Sequence, residues 1–177
     1  HPLGKEKFLT FRLPNPKVES EFRLGRAFMS ISSAASLAKQ LGVHTPPLFE
    51  VILPMTESET EMIDIQEAYD ELYNLKHVLY RFDKSLLEFL EIIPLFEQVQ
   101  TIIRSHEIVK AYLSKHKKRF KRSLSYVRPY VARSDPALNS GLVPTVLAIK
   151  IALSHFKELE EETQVMLFPV IGAASLP

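Results

Sequence analysis

The chain has 177 residues, 46% of them apolar and 24% charged, with a formal net charge of +1. That length supports one ordinary core and is too short for two large domains. The balanced charge excludes a disordered charged tail and any general pull toward nucleic acid or anionic membrane. Without cysteine there are no disulfides, thiolate zinc sites or cysteine nucleophiles, which fits a cytoplasmic protein, and no apolar run approaches the roughly 20 residues a spanning helix needs.

Residues 8–13 are rich in strand formers and stop at Pro14-Asn15-Pro16, which predicts a strand feeding a turn. Residues 19–40 read as a helix with Phe22, Ala27, Phe28, Ile31, Ala35 and Leu37 broadly on one face, closed by Gly42 where a left-handed residue is wanted. A second strand is predicted at 48–53, ended by Pro54. Residues 56–80 carry acidic groups in the first turn and Met62, Ile65, Ala68, Leu72, Leu75 and Leu79 at helical spacing. A third strand over 90–96 must seat Pro94 where no ladder donor is required. Helix is predicted at 98–119, strand at 127–132, helix at 136–157 with an interruption at Asn139-Ser140-Gly141 and Pro144 near its start, and a fifth strand at 165–170.

Five strands alternating with helices argue for parallel pairing, because each crossover returns the chain to the same end of the sheet. The strands are apolar almost throughout, which implies burial on both faces. No G-x-G-x-x-G follows any of them, so a dinucleotide fold is disfavoured. The expected fold is α/β: an incomplete parallel (β/α)8 TIM-type barrel of about five β/α units with long helices, residues 1–177 forming one partial catalytic domain. The short polar lead, the absence of an initial Met and the last strand close to the end suggest a piece of something longer, its N-terminal and C-terminal parts absent.

In such an architecture the reacting groups gather at the carboxyl ends of strands, which singles out Arg12, Glu50, Glu97 and Asp135. An arginine and carboxylates on one rim suit Mg²⁺ with a phosphorylated or carboxylated ligand, the guanidinium pairing bidentately with an anionic oxygen. A charged residue at a strand end also simply marks where the chain meets water. Glu50, inside its run and able to be paired in the wall, fits a non-functional reading best; Asp135 fits it worst, because capping the helix after it and binding a metal both place its carboxylate at the helix entrance. The histidines at 44, 77, 106, 116 and 155 show no ligand spacing and read as surface or satisfied residues. The basic block from Lys115 to Arg122 reads as a solvated helix end. Ser30, Ser32 and Ser33 lack a G-x-S-x-G elbow, so no hydrolase triad is visible.

Three segments carry a resemblance. Phe8-Leu9-Thr10-Phe11-Arg12-Leu13-Pro14-Asn15-Pro16-Lys17-Val18 resembles a G-G-D-R-D-G-N-P-x-V stretch, keeping Arg12 and the Asn15-Pro16 pair. Pro94-Leu95-Phe96-Glu97-Gln98-Val99 is similar to P-L-F-E-T-L, and Arg133-Ser134-Asp135-Pro136-Ala137-Leu138-Asn139-Ser140-Gly141 is similar to Y-S-D-S-A-K-D-A-G. These motifs belong to the phosphoenolpyruvate carboxylases, and over essentially its whole length the chain resembles their short archaeal form. Leu138 stands where the family has a lysine. Nothing corresponds to the family's amino-terminal H-P-T or Q-H-P-D motif, and the arginine-containing loop expected after residue 177 is missing.

The resemblance implies a homotetrameric cytoplasmic lyase that converts phosphoenolpyruvate and bicarbonate to oxaloacetate and phosphate through carboxyphosphate and an enolate. It makes Glu97 and Asp135 ligands of Mg²⁺ (or Mn²⁺) and gives Arg12 a catalytic role toward an anionic reactant, with no nucleic-acid or membrane partner. Two alternatives stand beside it: a non-catalytic structural or assembly fragment, and another metal-dependent barrel enzyme that uses phosphoenolpyruvate or pyruvate. The roles of Glu50, Arg133 and the basic block stay open.

Overall fold

The computed structural model describes residues 2–43, 45–74, 87 and 89–172. The chain packs as two compact units, one of His1–Leu53 with Asp64–Ile92, the other of Pro54–Ile63 with Ile93–Pro177.

In the first unit, β1 (Leu9–Arg12) pairs in parallel with β2 (Leu48–Leu53), Thr10 opposite Glu50 and Arg12 opposite Ile52. Between them runs α1 (Glu21–Gln40), which buries Leu24, Phe28, Ile31, Ala35 and Ala38, the i, i+4, i+7 spacing of one helix face. Phe22 and Leu37, expected on that face, are 75% and 54% exposed: at 100° per residue they fall on the opposite side of the helix. Gly42, at φ 70°, ends the helix as expected, its N–H donating to the Lys39 carbonyl. Helix α2 (Glu59–Tyr73) has Glu59 and Glu61 in its first turn. The expected continuation to residue 80, with Leu75 and Leu79, lies outside the described residues, as do His44 and His77.

One face of α2 secures the segment leading to the next strand. Gln66 Nε2 donates to the Leu90 carbonyl at 2.8 Å, Tyr69 OH to the Leu87 carbonyl at 3.4 Å, and the Leu87 N–H to Tyr73 OH at 3.3 Å. These bonds satisfy polar groups that burial would otherwise strand. Phe28 meets Tyr69 edge-on at 5.5 Å, and Tyr69 stacks with Tyr73.

Strand β3 (Glu91–Phe96) begins in the first unit and ends in the second. Residues 98–119, expected as one helix, form α3 (Val99–Ile103) and α4 (Ser105–Phe120), separated by Arg104 at φ −96°, ψ 9°. That bridge-region backbone cannot carry an α-helix through. The fourth and fifth expected strands are each divided, into β4 (Tyr126–Val127) with β5 (Tyr130–Ala132) and β6 (Met166–Leu167) with β7 (Val170–Gly172). β4 pairs in parallel with β6, and β5 with β7. The cause is chemical. Amides of Met166, Phe168 and Val170 donate to the carbonyls of Ser125, Val127 and Pro129, and Arg133 donates back to Gly172. The alternation then calls for an N–H at residue 129 aimed at the Phe168 carbonyl, and proline has none.

The first unit pairs β1 with β2, and the strands of the second run in the order β3-β5-β7. Two helices separate β5 from β6: α5 (Ser134–Ser140) and α6 (Leu142–Thr163), parted at Gly141 as the sequence suggested, with Pro144 in the first turn of α6. Inside the second unit α6 buries Thr145, Ala148, Ile149, Ala152, Phe156 and Leu159. Parallel strands joined through helices place the chain in the α/β class, with the β/α repeat of an incomplete barrel. Among the described residues no helix is long and apolar enough to cross a membrane.

Candidate active site

Three of the four candidate side chains, Arg12, Glu97 and Asp135, lie at or just past a strand end, and Glu50 lies inside β2. Apolar β3 runs unbroken to Phe96, which is fully buried, and Glu97 is the first residue past it. The half-buried Glu97 carboxylate accepts the Met55 N–H through Oε2 at 2.6 Å. Beside it the Thr56 N–H donates to the Leu95 carbonyl at 3.0 Å, and Gln98 Nε2 to Glu57 Oε1 at 3.3 Å. The segment after β2 is thus strapped to the end of β3. Met55 makes the turn at φ 52°, a left-handed conformation unusual for methionine. This strap has no mark in the sequence beyond Pro54, because nothing about Met55 announces a positive φ.

Asp135 belongs to the neighbouring strand. β3 and β5 are parallel with Leu95 opposite Tyr130 and Phe96 opposite Val131. Glu97 and Asp135 therefore follow the same, carboxyl ends of adjacent strands, Asp135 three residues beyond Ala132. It is exposed in the first turn of α5, and Arg133, not Asp135, occupies the capping position. The capping role expected of it is absent. Arg133 is half-buried and its N–H donates to the Gly172 carbonyl at 2.8 Å, which ties this rim to β7.

Arg12 is exposed at the carboxyl end of β1, in the first unit. The Asn15-Pro16 pair after it is structural: Asn15 is 2% exposed, and its Oδ1 accepts the Lys17 N–H at 2.9 Å, an Asx turn that redirects the chain into α1. Glu50 is buried at 5% exposure within β2, as its position inside the run suggested. No group of three or more His, Asp or Glu suited to a metal occurs among the described residues.

The histidines depart from a plain surface reading. His116 is completely buried between Tyr112 and Phe120, its Nδ1 3.1 Å from the Arg122 carbonyl while Nε2 has no hydrogen-bond partner among the described residues. Burial pushes its pKa down, outweighing the carbonyl contact. His106 and His155, 49 positions apart, meet across α4 and α6 with ring centroids 4.1 Å apart and planes tilted by 51°. No spacing rule would have joined them. Lys115, which opens the basic block, pairs with Glu59 at 2.6 Å, while Lys117, Lys118 and Lys121 are exposed at the end of α4.

A profile of the family described as phosphoenolpyruvate carboxylase matches residues 1–177. Proteins named phosphoenolpyruvate carboxylase from Oenococcus oeni, Pyrococcus abyssi and Metallosphaera sedula are 36%, 38% and 35% identical to the chain over 99% of its length. The matched region is 34%, 38% and 36% of those proteins, so the chain spans little more than a third of each. With a match over its full length, the chain belongs to the phosphoenolpyruvate carboxylase family.

Proposed function

We propose that this chain supplies the metal-holding rim of an enzyme that converts phosphoenolpyruvate and bicarbonate to oxaloacetate and phosphate. The observation that supports it is the placement of Glu97 and Asp135 after the same ends of the adjacent parallel strands β3 and β5. Two hard carboxylate donors, one of them exposed, fit Mg²⁺ or Mn²⁺, which take one or two protein carboxylates and leave the remaining positions to water and substrate oxygen. Bound there, the ion would neutralise phosphate and carboxylate oxygens and stabilise negative charge developing on the substrate. The chain's own contribution is orientation: the Met55 N–H fixes one Glu97 oxygen, and α5 holds Asp135 in its first turn. Arg12 enters on its chemistry, a guanidinium at a strand end able to take an anionic oxygen through two hydrogen bonds.

Phosphoenolpyruvate and bicarbonate are soluble anions, so the reading also implies a cytoplasmic enzyme, assembled as a homotetramer. Alone, two carboxylates do not amount to a full site, and the isolated chain should show no turnover. The test is Asp135→Asn in the full-length protein. Bicarbonate-dependent oxaloacetate formation should vanish and Mn²⁺ affinity fall by about 10-fold or more, with the melting temperature unchanged. Near-normal turnover would remove Asp135 from the reaction, and product formation independent of bicarbonate would favour another enzyme of phosphoenolpyruvate or pyruvate.

A further inference from the structure

The cleft between α4 and α6, about 490 Å³ in volume, is lined by both imidazoles of the His106–His155 pair together with Glu107, Lys110, Glu158 and Glu162. It lies wholly within the second unit. His106 and Glu107 sit in the first turn of α4, and Lys110 one turn further along bridges to Glu162 of α6 at 2.6 Å. Helix α3, packed against both, carries no titratable side chain. The charged groups facing the pair are therefore Glu107 and Lys110 from α4 and Glu158 and Glu162 from α6. With both rings neutral the lining carries three negative charges and one positive.

By sign alone the lining would balance added protons. The spacing of the rings is what limits them. Two imidazolium rings with centroids 4.1 Å apart repel in a place where water cannot fully screen them. Nδ1 of His155 is buried and has no hydrogen-bond partner among the described residues to share a second charge. We propose that the His106–His155 pair is an acid-sensitive latch: the α4–α6 seam stays closed while the pair holds at most one proton and loosens when it takes two. Burial and the neighbouring ring both hold the His106 pKa down, against the pull of Glu107 and Glu158, which agrees with this geometry.

Helix α4 lies in the stretch after Glu97 and α6 in the stretch after Asp135, so a loosened seam disturbs the two β/α units that carry the carboxylates. That consequence for turnover rests on the function proposed above. The latch itself does not, and its test uses no activity.

Amide exchange, corrected for its intrinsic pH dependence, is measured on the full chain at about pH 7.5 and about pH 5.5, on either side of the ordinary histidine range. Protection around residues 106 and 155 should fall by about tenfold in acid. In His155→Gln the fall should be at least about threefold smaller, what remains being the part that buried His116 contributes to both proteins, and the His106 ring should titrate at higher pH than in the unsubstituted chain. Equal loss in both proteins, or a His106 titration that does not move, would assign the acid response to other groups and overturn the latch. Protection that stays flat in the unsubstituted chain overturns it without any variant. His106→Gln, which leaves the other ring in place, should reduce the acid response to the same His116 remainder.

Discussion

Because the Met55 N–H donates to Glu97 Oε2, truncating this side chain would disturb the strap as well as any ligand it holds. Two substitutions separate the effects. Glutamine keeps a carbonyl oxygen for the Met55 N–H and removes the charge; alanine removes both. A hydrogen bond to a charged acceptor contributes about 1.5–3 kcal/mol when shielded, and less at a half-buried rim. Glu97→Gln should therefore unfold in urea within about 0.5 kcal/mol of the parent, and Glu97→Ala about 1 kcal/mol earlier. Both should lose Mn²⁺ binding to the same extent. If glutamine restored the metal, the charge of Glu97 would play no part in holding it. Glu97 was legible because an apolar run stops at it, whereas its anchor was not, since the bond comes from a residue 42 positions away in a left-handed turn.

Helix α6 shows what periodicity reveals at the scale of an element and what it conceals. Ala148, Ala152, Phe156 and Leu159 are buried on one face, yet Val143 and Leu147, equally apolar, are 69% and 54% exposed. The sequence reads as helix either way, because helical spacing reports which residues share a face but not whether that face has been covered. Substitution should separate the two faces sharply. Phe156→Ala, at 1% exposure, opens a cavity and should cost about 3–5 kcal/mol, whereas Val143→Lys should stay within about 0.5 kcal/mol. Urea unfolding of both variants checks this; comparable losses would mean that the Val143 face is buried in solution. The other elements divide along similar lines. Apolar runs marked the five expected strands and helical spacing the longer helices, but the divided strands were hidden because one missing donor at Pro129 is a matter of pairing register, which a single strand does not display. The break between α3 and α4 was hidden too: Arg104 is a good helix former, and its bridge-region backbone comes from packing.

Across the whole molecule, stability follows pH through the groups whose titration the fold displaces. Burial holds His116 and His106 below their ordinary 6.5. The unfolded chain therefore takes those protons first, and their contribution is complete above about 6.5 and is lost as pH falls from there toward the folded values. A hydrogen bond from Lys115 holds Glu59 below 4.5, so its contribution is present above 4.5 and disappears as pH falls through its lowered value. Tyr69 runs the other way, since burial raises it from 10.0 to about 12. The unfolded chain loses that proton first, and stability declines as pH rises between those values. Near-zero net charge adds little self-repulsion at neutral pH. Urea midpoints should therefore form a plateau between about pH 7 and pH 10, with one decline beginning just below 6.5, a further one below 4.5, and an alkaline one above 10. His116→Asn should be less stable on the plateau but shallower across the first acid step, because the imidazole sealed by Tyr112 and Phe120 is gone. If the parent chain keeps a flat midpoint from about pH 7 to pH 5, protonated His116 must reach water without unfolding, and its complete burial is not maintained in solution.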